Sequence, residues 1–148
     1  MAAPLLAGFP PVVDDDARLL ILGSFPSVQS LAVRQYYGNP RNAFWPITAA
    51  LFGFDAAAPY ETRLAALQSA GVALWDVLHK CRRVGSSDAK FDMKSLVAND
   101  FGKLFAAYPS IRLLKNGMMY PPSLYSSVCI SWMMSQRLDG STSALACW

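Results

Sequence analysis

Short apolar runs alternate with longer amphipathic segments along this chain. The first run, Leu19–Leu22, stops at Gly23 and is too short for a helix, which predicts a strand buried on both faces. Two later runs, Val72–Trp75 and Ile111–Leu114, have the same character. We therefore expect three strands in the core of a sheet.

The segments between these runs carry helical spacing and helix-boundary residues. They predict helices over 28–36, 43–52, 59–70 and 101–108, the last one capped by Asn99. Strands that alternate with helices in this order form right-handed βαβ units, which predicts a parallel sheet between helix layers. Residues 1–17 contain three prolines and predict an irregular arm, and 79–90 predict a basic loop.

Composition places the chain among single globular domains. It has 148 residues, of which 53% are hydrophobic and 16% charged, so we treat 1–148 as one domain. The net charge of +3 includes the acidic run Asp14–Asp16 in the arm, and the remainder carries +6. This mildly basic balance is compatible with a surface that faces phosphate.

The sequence disfavours metal-binding, membrane-spanning and secreted proteins. The three cysteines form no CxxC pair and His79 is the single histidine, so we expect neither a metal nor a cofactor. No apolar run is long enough for a bilayer, and the first residues lack the positive charge of a signal peptide. We expect a monomeric, cytoplasmic protein with reduced cysteines and no membrane partner.

The chemistry is concentrated after the first strand. The loop GSFPS spans Gly23–Ser27, where glycine permits a close backbone approach and proline stiffens the path. Ligands of open α/β sheets bind at the carboxyl ends of the strands, where this loop lies. The next segment, QYYGNPRNAFWPI, is dense in amides and aromatic rings.

These two motifs, together with GVALWDVL further on, carry a family resemblance. The first three quarters of the chain resemble the hypoxanthine-DNA (deoxyinosine) glycosylase group of the uracil-DNA glycosylase superfamily. The resemblance implies a three-layer α/β/α sandwich with a central parallel sheet and a fourth strand after Gly117. It also implies a DNA glycosylase of base-excision repair, which flips a deaminated base out of DNA and hydrolyses its N-glycosidic bond. Hypoxanthine is the first expected base, with xanthine and uracil as further candidates.

Asn42 is the predicted catalytic residue, because the family's functional asparagine in the PRN-x-FW motif falls on it. Its amide oxygen accepts and its amide nitrogen donates, which complements the edge of hypoxanthine. The competing interpretation is that Asn42 only caps the helix that begins at Ala43, a common role of asparagine.

Further site residues follow from the same motifs. Phe25 and Phe44 are candidates for stacking on the extruded base, although an aromatic residue one turn into an amphipathic helix is usually core. We expect Asp76 at the rim or as a turn cap. Lys80, Arg82 and Arg83 predict a phosphate patch or simply a solvated face. The pocket wall is assigned to Gly23, Ser24 and Pro26, further substrate contacts to Ser27 and Tyr37, and DNA contacts to Tyr36 and Arg41.

The segment from Met118 to Trp148 departs from the family pattern. The family has a second motif, Pro-Ser-Thr-Ser-Pro-Ala, that grips DNA phosphate, and Ser141, Thr142 and Ser143 offer a partial match without the prolines. Either this tail is divergent and still contacts phosphate, or it is read in a shifted frame. We favour the second interpretation, because the local structural preferences of these residues disagree with the global fold. The alternative function is a catalytically impaired nucleic-acid-binding or nucleotide-binding α/β domain.

Overall fold

The computed structural model describes residues 3–87, 90–115 and 118–120. Seven strands and four α-helices occur in this part of the chain, and we number them in chain order. The result is a mixed α/β fold. No helix in the described ranges has the length and apolarity needed to cross a bilayer.

The main sheet has four strands. Its central strand β2, Leu19–Gly23, pairs in parallel with β3, Val72–Asp76, on one side and with β6, Arg112–Lys115, on the other. Strand β7, Met118–Tyr120, pairs antiparallel with β6. A purely parallel sheet was expected, so this is a correction: the connection between β6 and β7 is too short for the crossover that a parallel pair requires.

A second sheet forms where irregular structure was predicted. Strand β1, Leu5–Ala7, and strand β5, Val97–Ala98, each pair antiparallel with β4, Leu78–Arg82. The predicted basic loop therefore begins as a strand, and part of the predicted irregular arm is its partner. The arm also joins the main sheet, where Val12 and Leu74 exchange two backbone hydrogen bonds of 2.9 Å.

The four helices are α1, Val28–Val33, α2, Phe44–Phe52, α3, Tyr60–Ser69, and α4, Phe101–Ala107. All four were predicted, but α1 ends early because Arg34 adopts a left-handed backbone with φ 55°. The predicted Asn99 cap of α4 is wrong. Asp100 fills that role by accepting from the Lys103 N–H at 3.0 Å, while the Asn99 side chain donates to the Asp76 carbonyl at 2.8 Å.

Alternating residues of β2 and β3 feed two hydrophobic clusters, one on each face of the main sheet. Leu20 and Ala73 pack with α4, whereas Leu74 packs with α2 and α3. We call these the α4 cluster and the α2 cluster. The ends of β2 and β3 therefore lie between the two clusters, and the loops that follow these strands begin there.

Candidate functional site

The loop that leaves β2 is held against the chain that leaves β3. Gly23 and Asp76 are direct neighbours across the two parallel strands. Beyond them, the Val77 N–H donates to the Gly23 carbonyl at 2.9 Å and the Leu78 N–H donates to the Ser24 carbonyl at 3.1 Å. The structure therefore places the first residues of the GSFPS loop at the carboxyl rim of the sheet, as predicted.

Asn42 lies at the beginning of α2 and is partly exposed. Its Oδ1 accepts from the Phe44 N–H at 2.8 Å, and its own N–H donates to the Asn39 carbonyl at 2.9 Å. The side-chain amide nitrogen donates to none of the described residues. Asn42 thus satisfies a backbone donor at the helix start, and this bond fixes which end of the amide remains available as a donor.

Tyr37 lies flat on Phe44, with ring centroids 3.7 Å apart and an interplanar angle of 12°. Phe44 has no exposed surface, whereas Tyr37 keeps part of its surface exposed. Tyr37 has a left-handed backbone with φ 54°, which is uncommon for a residue with a bulky side chain. Residues in such conformations cluster at functional sites. The outer surface of this stack belongs to Tyr37, and Phe44 supports it from behind.

The stack lies within electrostatic reach of the strand end. Burial raises the pKa of the Tyr37 hydroxyl, and the negative charge of Asp76 raises it further. Asp76 is itself buried, with 5% of its surface exposed. Tyr37 and Phe44 also pack in the α2 cluster with Ile21 and Leu74, which lie two positions before the ends of β2 and β3, so the stack and this end of the sheet are parts of one region.

Tyr36 was predicted to contact DNA, and its position corrects that prediction. Only 4% of its surface is exposed, its hydroxyl donates to the Pro10 carbonyl at 2.8 Å, and its N–H donates to the Tyr60 hydroxyl at 2.9 Å. Burial, followed by the charge of Asp76, raises the pKa of this hydroxyl too. Tyr36 fastens the arm to the α2 cluster, whereas Arg41 is exposed as a DNA contact requires.

The other residues of the GSFPS loop face different surroundings. Phe25 is 7% exposed and belongs to the α4 cluster, where its ring meets the edge of Phe91 at 6.3 Å. Phe25 and Phe44 lie in different clusters and do not face each other. Ser27 caps α1 by accepting from the Ser30 N–H at 3.1 Å, while Ser24 and Ser27 remain partly exposed.

The predicted basic patch is divided between different environments. Arg83 is 4% exposed and donates to the Pro26 carbonyl, and Arg82 donates to the Ala3 carbonyl at 2.6 Å. Lys80 is partly exposed. The two arginines therefore bind backbone carbonyls of the protein, so the prediction of a continuous phosphate patch is wrong. The predicted phosphate contacts Ser141, Thr142 and Ser143 lie outside the described residues.

Similarity to known proteins agrees with this geometry. Hypoxanthine DNA glycosylase from Methanosarcina barkeri is 39% identical over 108 residues, which are 72% of this chain and 67% of the relative. A protein of the same name from Methanosarcina acetivorans is 40% identical with the same coverage. The chain belongs to the hypoxanthine DNA glycosylase family.

A solved structure shares the fold of this family member. The solution NMR structure of a candidate uracil DNA glycosylase from Methanosarcina acetivorans superposes with a TM-score of 0.67 and 31% identity. The match covers 93% of this chain and 80% of that protein. No protein-family model matches the chain.

Two features of this glycosylase-family site were not foreseen from the sequence. The stacking of Tyr37 on Phe44 joins residues seven positions apart through a left-handed backbone, which no periodic pattern indicates. The burial of Arg83 was not foreseen because this residue lies in a run of basic residues, and such runs are usually exposed to solvent. No group of three or more His, Cys, Asp or Glu side chains suited to a metal ion occurs among the described residues.

Proposed function

We propose that this protein is a DNA glycosylase that flips hypoxanthine out of DNA and hydrolyses its N-glycosidic bond. The observation that carries the proposal is the identity of about 40% to two relatives named hypoxanthine DNA glycosylase, over 72% of the chain. The placement of Asn42, Tyr37 and the GSFPS loop in one region at the sheet's carboxyl rim supports it.

Asn42 is the proposed catalytic residue. Since its Oδ1 is engaged by the Phe44 N–H, its amide nitrogen is the group directed to a ligand. Hypoxanthine presents the carbonyl O6 as an acceptor, whereas adenine presents an amino donor at the same position. A buried donor left opposite another donor costs about 1–3 kcal/mol, which favours the deaminated base.

The same donor can stabilise the transition state. When the bond between C1′ of the sugar and N9 of the base breaks, its electron pair stays with the base, and water adds to the oxocarbenium-like C1′; the proton that the water loses is balanced by protonation of the departing base, so the products are free hypoxanthine and an abasic sugar with a 1′-hydroxyl. Negative charge therefore accumulates on the departing hypoxanthine. A preoriented amide N–H directed at that charge contributes more in the transition state than in the ground state.

The other predicted site residues complete the proposal. Tyr37, supported by Phe44, offers a ring surface for the flipped base, and Phe25 gains such a role only if the loop opens. Gly23, Ser24, Pro26 and Ser27 form the wall, while Arg41 and the three tail residues Ser141, Thr142 and Ser143 contact phosphate. The full three-layer sandwich with its central parallel strands belongs to the same proposal, since helices cover both faces of the main sheet.

The test is base release from defined duplexes that contain one deoxyinosine, deoxyxanthosine or deoxyuridine. We expect free hypoxanthine by chromatography and alkali-sensitive strands from the deoxyinosine duplex, with none from a matched deoxyadenosine duplex. Single-stranded versions of each oligonucleotide separate the two substrate forms. Selective binding of the deoxyinosine duplex without base release would instead support the alternative function, a catalytically impaired nucleic-acid-binding domain.

A further inference from the structure

A buried arginine lies behind the loop that leaves β2. The Arg83 guanidinium carbon is 5.3 Å from the centroid of the Phe25 ring and 5.2 Å from that of Phe91. The same guanidinium donates to the Pro26 carbonyl. All four residues belong to the buried or nearly buried part of the molecule, so this cation is embedded between two aromatic rings and the backbone of the GSFPS loop.

The contacts continue on both sides of Arg83. Arg83 and Phe91 form an isolated antiparallel bridge, which brings the second ring into place. The Ser86 Oγ accepts from the Val28 N–H at 2.8 Å, at the beginning of α1. The GSFPS loop is thus braced at Phe25 and Pro26, and the start of α1 at Val28, by a segment that lies more than fifty residues away in sequence.

The geometry explains why arginine occupies this position. A guanidinium is planar and delocalised, so it can stack against aromatic faces while its edge donates hydrogen bonds in fixed directions. A lysine ammonium would keep the charge, but it would lose the planar surface and the fixed direction of the donor. The bond to Pro26 matters for the loop, since proline has no N–H through which other groups could hold it.

We propose that Arg83 is a positioning residue of the glycosylase site, which fixes Phe25 and Pro26 so that Ser24 faces the flipped nucleotide. This inference rests on the proposed function. Arg83 does not touch the substrate; it acts through the loop. Since displacements of about 1 Å at a site can cost about 100-fold in rate, loss of this brace is expected to reduce the chemical step more than DNA binding.

The decisive comparison is Arg83→Lys against Arg82→Lys. Arg82 is a matched control because it also donates to a backbone carbonyl, but to that of Ala3, which is not part of the GSFPS loop. We measure single-turnover release of hypoxanthine with enzyme in excess, and the Kd for a duplex with an uncleavable abasic analogue. Arg83→Lys is expected to lower the single-turnover rate about 10- to 100-fold with a Kd within about threefold of wild type, while Arg82→Lys retains both.

Two further measurements separate positioning from general destabilisation. Methylguanidinium added to Arg83→Ala is expected to restore part of the rate, whereas methylammonium restores none. Hydrogen exchange of the peptide that covers Ser24–Leu31 is expected to accelerate in Arg83→Lys and not in Arg82→Lys. If Arg83→Lys does not fold, Phe91→Leu removes one ring of the sandwich, and the same pattern of rate, Kd and exchange is expected from it.

The outcomes keep this inference distinct from the proposed function. A wild-type protein that releases no hypoxanthine overturns the glycosylase proposal, while the exchange experiment still decides whether Arg83 holds the loop. An active wild type with unchanged rate and exchange in Arg83→Lys overturns the role of Arg83 alone. Equal losses in both arginine variants, or rescue by methylammonium as well, would also overturn it.

Discussion

The two interpretations of Asn42, helix cap and catalytic donor, predict different results for Asn42→Asp and Asn42→Ala. An aspartate keeps the oxygen that accepts from the Phe44 N–H at 2.8 Å, but it lacks the amide N–H. An alanine loses both groups. Asparagine and aspartate are equally good at helix starts, and a negative charge there is stabilising by about 0.3–1 kcal/mol.

The stability of the variants follows from these contacts. Asn42→Ala is expected to lower the free energy of unfolding by about 1 kcal/mol, and Asn42→Asp to leave it unchanged or raise it. Asn39→Ala is the matched control, since Asn39 Oδ1 accepts from the Arg41 N–H at 3.0 Å in the same kind of local turn. Urea denaturation of the four proteins measures these differences.

Activity separates the two roles. If the amide donor stabilises the departing base, both Asn42 variants lose about 10²- to 10³-fold in single-turnover hypoxanthine release, equivalent to about 3–4 kcal/mol. Asn39→Ala is expected to stay close to wild type at a temperature where all four proteins are folded. An Asn42→Asp protein that releases hypoxanthine at the wild-type rate would refute the donor role and leave Asn42 as a cap.

Three further predictions concern the surroundings of the site. Gly38→Ala is expected to destabilise the fold by about 1–3 kcal/mol, because the new Cβ would lie 2.6 Å from Val33 Cγ2, and the exposed Val33→Ala change should recover part of that loss in thermal melts. Burial raises the pKa of Tyr37 above its ordinary 10.0, so the folded state favours the neutral hydroxyl. The contribution of this hydroxyl to the free energy of unfolding is therefore complete below about pH 10 and is lost as the pH rises further. The free energy of unfolding of Tyr37→Phe should therefore fall by about 1 kcal/mol less than that of wild type between about pH 10 and 11, as measured in urea titrations. An identical pH dependence of the two proteins would count against the burial of the Tyr37 hydroxyl. Arg41→Gln should weaken binding to all duplexes and reduce the salt slope by about 1 in anisotropy titrations, and an unchanged slope would exclude a phosphate contact.

The parts of the fold that the sequence predicts are those with strong local signals. The apolar runs of β2 and β3 and the helical spacing of α2 and α3 match the structure within a residue or two. Strands β1 and β4 escaped prediction because β1 has only three residues and β4 mixes polar with apolar residues, and each has its partner more than seventy residues away in sequence. The antiparallel return of β7 likewise depends on the length of a connection, which hydrophobic pattern does not encode.

The candidate site divides in the same way. Gly23 and Ser24 lie at the end of β2 and Asn42 lies at the start of α2, as the apolar runs and the helical spacing indicate, while their roles in a site stay predictions. The environment of Arg83 depends on contacts with a distant segment, and the stacking of Tyr37 on Phe44 depends on a left-handed turn that no periodic pattern indicates. Residue type alone favours a solvated side chain for Arg83, and it does not show that Tyr37 covers the Phe44 ring. The burial of these side chains is therefore known only from the three-dimensional structure.

The strand order has a consequence for how this protein emerges from the ribosome. Strand β2 is translated early, yet both of its hydrogen-bonding partners, β3 and β6, are translated much later, and β6 ends at Lys115. A nascent chain must therefore carry an apolar central strand that is unpaired until β3 has been made and has one open edge until β6 has been made, a state that invites association with other unfinished chains. Synthesis that stalls before Arg112 would leave one side of β2 open, and such fragments should depend on chaperones to stay soluble.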